Sequence, residues 1–451
     1  MKASSDEANL NFNMMRFYEK VLQDIRDDQL RFDGNHVNDT GAIADVVPYD
    51  GIGGNPGCPV WQVAYVVIAR NLWKHYGTDV LGTLAKHWVG LNDLMGWFER
   101  HKDPKDGLLD IACYGDWMGF NPESHNGGSS ALTPQGSVTA FYHVLAMDYM
   151  STMASALGKS SEAASWSAKH KAGVAAYHKR YFDSSIGGYS PCKNDKPPAG
   201  TNSKSTSCHG TSAAGSQTSN SMALALGAPP TEAVAEKVAA NLAADVLAFG
   251  NKTTTGVVGI AWLFPMLDKY GYGDVALAIL ANDAYPSLGH MAMQNMTTLC
   301  ENWGCTFHDA GGGSQNHIML GGFDAWLQSS LGGLDSAVNG RSGGWRHMIV
   351  RVSPEAAAAL KQARVSRQTR FGEASLSWTA ADGKLSSKLV VPIGVEAEVH
   401  SPAAMGGRRL STVTRNGRVV WSHETGAVDR EMRAAVAWVG SGTHEFKATY
   451  E

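Results

Sequence analysis

The 451 residues include 38 Lys and Arg against 42 Asp and Glu, with 43% hydrophobic and 18% charged residues, which is the balance of a globular chain with a substantial core. A net charge of −4 without any basic stripe argues against nucleic acid as a partner, and no run approaches the roughly 18 apolar residues of a membrane helix. The length allows roughly two to four domains, or one large barrel with a smaller companion.

The first three quarters read as helices. Leu10, Phe12, Met15, Phe17, Val21, Leu22 and Ile25 fall at helical spacing and predict one helix over 8–30. The stretch 61–76 is apolar nearly all round, as in a helix packed on both sides, and 81–100 follows after the turn at Gly77-Thr78-Asp79. Thr133-Pro134 supplies an N-cap and a proline at the first helical position for a helix running to about 157. Further helices are expected over 161–181, 217–226, 231–247, 258–270, 274–281 and 317–331. Short turns alternate with long Gly-rich loops, as a toroid of helical hairpins requires, and the long loops then gather on one face.

Two stretches break this pattern. Residues 189–216 are rich in Ser, Gly, Lys and Pro and read as an inserted loop. Beyond about 340 the texture becomes β: 348–352, 374–379, 389–391, 395–400, 418–421 and 434–439 are short alternating or β-branched runs, the spacing of a small all-β sandwich. The expected division is a barrel over 1–338 and a sandwich over 339–451.

Six cysteines (Cys58, Cys113, Cys192, Cys208, Cys300, Cys305) are sparse enough to leave pairing open, with Cys192 and Cys208 bracketing a loop that a bridge would close. Asn38-Asp39-Thr40, Asn251-Lys252-Thr253 and Asn295-Met296-Thr297 match the glycosylation pattern, which matters only for an exported protein. The first residues lack a signal peptide's apolar core. The expectation is therefore a cytoplasmic protein if the chain is complete, and a secreted one if it is truncated.

Chemistry concentrates in three segments. In Leu299-Cys300-Glu301-Asn302-Trp303 a carboxylate stands beside an indole, an arrangement expected to raise a carboxylate's pKa by desolvation and to shape a sugar pocket. A surface Glu in a loop is the bland alternative. Ser314-Gln315-Asn316-His317 either caps a helix or offers an imidazole. Tyr114-Gly115-Asp116-Trp117 is either a turn with a core indole or a wall of the same site. Trp61, after the Gly/Pro-rich run 51–59, either packs in the core or lines the mouth. Cys300, Cys305, His308 and His290 match no common zinc spacing, so no metal is expected. No phosphate loop, dinucleotide fingerprint or Gly-x-Ser-x-Gly elbow occurs, and no cofactor is expected.

These segments stand in the order of a known family. Asn11-Phe12, Phe17-Tyr18-Glu19-Lys20, Pro59-Val60-Trp61, Tyr114-Gly115-Asp116-Trp117, Ser216-Gln217-Thr218, Ala223-Leu224-Ala225-Leu226 and Thr254-Thr255-Gly256-Val257-Val258-Gly259 come first. Tyr285-Pro286-Ser287, Thr297-Thr298-x-x-Glu301-x-Trp303 and Asn316-His317 follow. The chain resembles the inverting α-L-rhamnosidases over nearly its whole length. The resemblance implies a mostly α (α/α)6 barrel with a C-terminal β-sandwich, acting on rhamnose-containing glycosides or polysaccharides. Glu301 falls on the family's general base, His317 on a sugar-contacting histidine, and Trp61 and Trp117 on aromatic walls. Asp116 and Trp303 lie in the same motifs as further substrate-binding candidates.

The departures are as informative. The family's general acid sits upstream in an Arg-x-Glu-Arg segment followed by Trp-x-Gly-Asp, and neither motif is in this sequence. Cys300 stands where the family often has Trp. The expectation is a barrel short of its first helix or two, with exposed apolar faces that invite aggregation or pairing into a homo-oligomer. Three readings stay open: part of an active rhamnosidase, a catalytically degenerate homologue that only binds rhamnosides, or an enzyme in which another carboxylate such as Asp116 serves as acid. A different (α/α)6 glycosidase is the further alternative.

Overall fold

A computed structural model of the chain describes residues 2–31, 39–120, 127–128, 132–190, 214–305, 313–340, 342–424, 426–428 and 433–451. Cys192, Cys208, most of the 189–216 insertion, His308 and Asn38 lie outside the described residues.

Helices form two concentric layers. The inner ones are buried over most of their surface: Ala64–Tyr76, Gln135–Ala156, Gln217–Ala225 and Ile260–Lys269. Their partners bury one side only. Ser160–Tyr181, for instance, buries just Trp166 and Tyr177, and Glu232–Ala248 shows a single apolar stripe. The inner helices touch in sequence around a closed ring, completed by Ser5–Asn11 and the segment from Ile318. Among the described residues six segments make the inner ring and five helices (Met15–Leu30, Leu81–His101, Ser160–Tyr181, Glu232–Ala248, Gly273–Ala281) lie outside it. Eleven segments thus follow the expected six-hairpin pattern, one outer helix short of twelve among the described residues.

Inner-to-outer connections are short turns, and outer-to-inner connections are the long loops. All long loops therefore open on one end of the ring. Local chemistry sets the helix starts there, Ser216 accepting from the backbone N–H of Ser219 and Ser287 from His290, while at the opposite end Thr231 accepts from Val234.

The helix expected over 8–30 is two helices, Ser5–Asn11 and Met15–Leu30. Phe12 is extended, Asn11 donates to Asp324, and the Met14 N–H goes to the Tyr76 hydroxyl, so tertiary bonds replace the helical ones. The helix expected over 317–331 is a mixture of 3-10, α and π turns. Gly321 and Gly322 pack against the Glu7 carboxyl and the Ala3 carbonyl so closely that a Cβ at Gly322 would stand 2.8 Å from that oxygen.

The β region is two stacked sheets. The smaller pairs Ala434–Val439, Glu396–Pro402, His347–Arg351 and Leu334–Ser336. The larger has seven strands and includes Gln362–Thr369, Gly372–Ala381, Lys384–Val391, Gly442–Tyr450 and Arg408–Arg415. Their shared core takes in Leu10 and packs on Ala325, so the sandwich covers the ring where its first and last inner segments meet. Lys74, buried there, is clamped between Asp6 and Asp335.

Candidate active site

The long loops enclose a cavity of about 830 Å³ at the open end of the ring, and Glu301, His317, Trp61, Trp117, Tyr114 and Asp45 line it. The sequence separated these residues by up to 272 positions (Asp45 to His317), and the fold brings them to one pocket.

Glu301 sits in a backbone ladder. Its own N–H donates to the Ser314 carbonyl (2.8 Å), and the His317 N–H donates to Leu299 (2.7 Å). The carboxylate accepts from the Trp117 indole N–H at Oε1 (3.0 Å) and from the Ser314 N–H at Oε2 (3.0 Å), while His317 Nδ1 lies 3.8 Å from Oε2. Gly313 lets the backbone pass this close, since a Cβ there would stand 3.1 Å from Oε2. Burial raises the Glu301 pKa. The indole donor, the Ser314 N–H and the neighbouring imidazole outweigh it, and the carboxyl ends below its ordinary value. The expected rise by desolvation is thus reversed, because the aromatic wall presents its N–H rather than only its face. His317 is held below the usual imidazole range, chiefly by burial, against the pull of Glu301.

Trp117 is fixed from behind. Tyr114 meets it edge-on (centroids 5.5 Å apart) and stacks on Trp61 at 5.7 Å. The Tyr114 hydroxyl donates to Asp45 (2.8 Å), whose carboxylate also accepts from the N–H groups of Gly54 and Cys58. The Cys58–Cys113 disulfide joins the same two loops covalently, and Cys300–Cys305 closes a five-residue separation beside Glu301. The second bridge consumes both cysteines of the zinc alternative.

Asp116 and Trp303 lie elsewhere. Asp116 is buried beneath the pocket, and its two oxygens accept from the N–H groups of Gly256 (2.8 Å), Val258 (3.0 Å) and Gly259 (2.9 Å) and from the Thr218 hydroxyl. Burial pushes its carboxyl up in spite of these donors. Trp303 is buried and donates to the Thr255 carbonyl (2.9 Å). Both belong to the framework that ties the 114–120 loop to the 254–259 loop, not to the cavity lining. Expected as a substrate-binding residue or an alternative acid, Asp116 is thus placed outside the cavity lining, with both oxygens engaged by the protein.

Sequence reasoning passed over Asp45. Its signal was a carboxylate just ahead of a Gly-rich run, whose free N–H groups need an acceptor. Phe17, Val21 and Ile25, read only as apolar positions of a helix, also line the cavity, Val21 and Ile25 while belonging to the core.

This pocket, on a ring of helical hairpins followed by a β-sandwich, is that of a glycosidase fold. The profile of the bacterial α-L-rhamnosidase six-hairpin glycosidase domain matches residues 1–331, and that of the bacterial α-L-rhamnosidase C-terminal domain matches 337–414. The chain belongs to this family. It is 27% identical over 437 residues to an α-L-rhamnosidase of Streptomyces avermitilis, covering 96% of this chain and 36% of that protein. It is 25% identical over 449 residues to one of Formosa agariphila, covering 98% and 43%. Among solved structures, the α-L-rhamnosidase from Dictyoglumus thermophilum superposes with a TM-score of 0.78 at 27% identity, over 99% of this chain and 45% of that one. The Streptomyces avermitilis enzyme complexed with L-rhamnose gives 0.74 at 24% identity, over 99% and 37%. The chain thus spans less than half the length of these relatives.

Proposed function

We propose that this chain forms the base side of an inverting α-L-rhamnosidase site, with Glu301 activating the water that attacks the anomeric carbon. The supporting observation is the Glu301 carboxylate itself. It faces the cavity and is held ionised by the Trp117 and Ser314 N–H groups, as a general base must be. Inversion needs a second carboxyl across the sugar at roughly 6.5–9.5 Å, leaving room for water. Among the described residues, the other carboxylates lining the pocket, Asp45 and Asp24, already serve elsewhere, Asp45 with three donors and Asp24 with Lys20. A substrate whose leaving group departs without protonation therefore tests the described carboxylates most directly. Trp61 and Trp117 supply the flat faces on which a sugar's C–H groups stack, and His317 a polar contact.

The test uses p-nitrophenyl α-L-rhamnoside, with the released sugar's anomer read by proton NMR. Turnover with the β-anomer formed first, lowered about 10²–10⁴-fold by Glu301→Gln, is expected. The engagement of Asp45 and Asp24 favours one other reading, a module that binds rhamnosides without cleaving them. Rhamnose binding with no turnover, indifferent to Glu301→Gln, would establish it.

A further inference from the structure

We propose that the outer face of the seven-stranded sheet is a binding site for an acidic polysaccharide, one that carries carboxylates at intervals along a hydroxyl-rich chain. The site lies on the sandwich and is distinct from the Glu301 pocket. A broad depression of about 790 Å³ opens there. Strand register sets its composition. One row runs Gln362–Thr379–Ser386–Lys447–Thr414 across five strands, and the next runs Arg364–Ser377–Lys388–Glu445. Five strands span about 19 Å at ordinary strand spacing, so the rows form a trough suited to an extended chain rather than a pit for a single sugar.

The charge of the trough decides the ligand class. Arg364, Lys388 and Lys447 are exposed, and among the described residues none of the three has an ion-pair partner within 4.0 Å. Lys388 stands directly opposite Glu445, which is the one anion lining the trough, yet the two do not close a pair. Residues 361–451 hold 13 Lys and Arg against 9 Asp and Glu, while the whole chain is at −4, so the sandwich is basic on an acidic barrel. Between the cations stand hydroxyls and an amide, the groups that meet sugar hydroxyls. Three cations interrupted by a carboxylate are too sparse for the continuous phosphate charge of a nucleic acid, and the trough presents no exposed aromatic on which bases would stack.

The test titrates the whole chain with oligogalacturonate, with a neutral malto-oligosaccharide of equal length, and with single-stranded DNA. Binding is expected for the polyuronate, weakened by salt, and absent for the neutral glycan. Lys388→Glu with Lys447→Glu should weaken it at least about tenfold, each lost attraction being worth on the order of 1 kcal/mol. Rhamnoside hydrolysis should not change in this variant. If the double reversal lowers the melting temperature, Arg364→Ala, on the row of Lys388, serves in its place. Equal binding of acidic and neutral glycans, tighter binding of DNA than of polyuronate, or indifference to these substitutions would each overturn the proposal. None of these outcomes depends on whether Glu301 is the base.

Discussion

Asp116 and Glu301 sit on two loops of the same end of the barrel, and backbone N–H groups surround both carboxylates, yet their fates are opposite. Asp116 accepts four donors, has no face left open and is fully buried, and burial still lifts its carboxyl above the ordinary range. Glu301 accepts two donors with an imidazole nearby, remains half-buried against the cavity and is held below it. Donors alone do not make a site. What distinguishes the two regions is whether the oxygens keep a lone pair facing open space.

The largest effect that sharpens this contrast is on stability. Asp116→Ala strands three backbone N–H groups and a hydroxyl below the pocket floor, and should cost on the order of 3–5 kcal/mol in a denaturant titration. Glu301→Ala should cost less than about 1 kcal/mol while removing hydrolysis, because solvent can reach the donors it leaves. Equal costs at the two positions would break the contrast.

The disulfides extend it. Reduction should be felt more through Cys58–Cys113, with a sequence separation of 55, than through Cys300–Cys305, with a separation of 5. Loop-closure entropy gives about 4 kcal/mol for the first and about 2 kcal/mol for the second. Paired Cys→Ser variants compared by thermal melts check the order. The short bridge should matter more for kcat than for melting, since it holds the backbone of Glu301.

The Glu301 environment makes a signed prediction about pH. A general base acts ionised, so kcat/KM rises with pH through the base's pKa. Trp117→Phe keeps the ring and deletes the N–H that lowers that pKa, and so should move the acid limb to higher pH. His317→Gln should move it the same way by less, since the imidazole contributes after the indole and the Ser314 N–H. An acid limb unchanged by Trp117→Phe would mean that Glu301 is not the group being titrated.

Much of the architecture was written in local pattern. The toroid was legible in the alternation of short turns with long loops, and the stretch 61–76, apolar nearly all round, forms one of its inner helices. The sandwich strands that were missed, Gln362–Thr369 and Gly442–Tyr450 among them, carry a polar face that breaks the apolar alternation. The break in the first helix was hidden because its causes, Tyr76 and Asp324, lie far along the chain. Glu301, His317, Trp61 and Trp117, singled out by motif and residue type, come together on one cavity. Asp116 and Trp303 fall outside that lining, and the sequence held no sign of it, since a carboxylate and an indole look alike whether their polar atoms meet solvent or backbone. The closeness of Gly256, where a Cβ would stand 2.1 Å from the Trp117 carbonyl, marks that loop as a packed seam together with the bonds to Asp116 and Trp303.

The smallest effect tests the support behind the aromatic wall. Tyr114→Phe keeps the stack on Trp61 and removes one hydrogen bond to Asp45, which retains the Gly54 and Cys58 N–H groups. The loss should be about 1 kcal/mol, read as a roughly fivefold rise in KM at constant kcat, because the wall binds substrate and transition state alike. Asp45→Asn should do more than Tyr114→Phe, since it weakens the acceptor shared by both loops. If Tyr114→Phe lowered kcat as well, the Tyr114–Trp117–Glu301 series would be holding the base itself, and the separation between pocket wall and catalytic carboxylate would have to be redrawn.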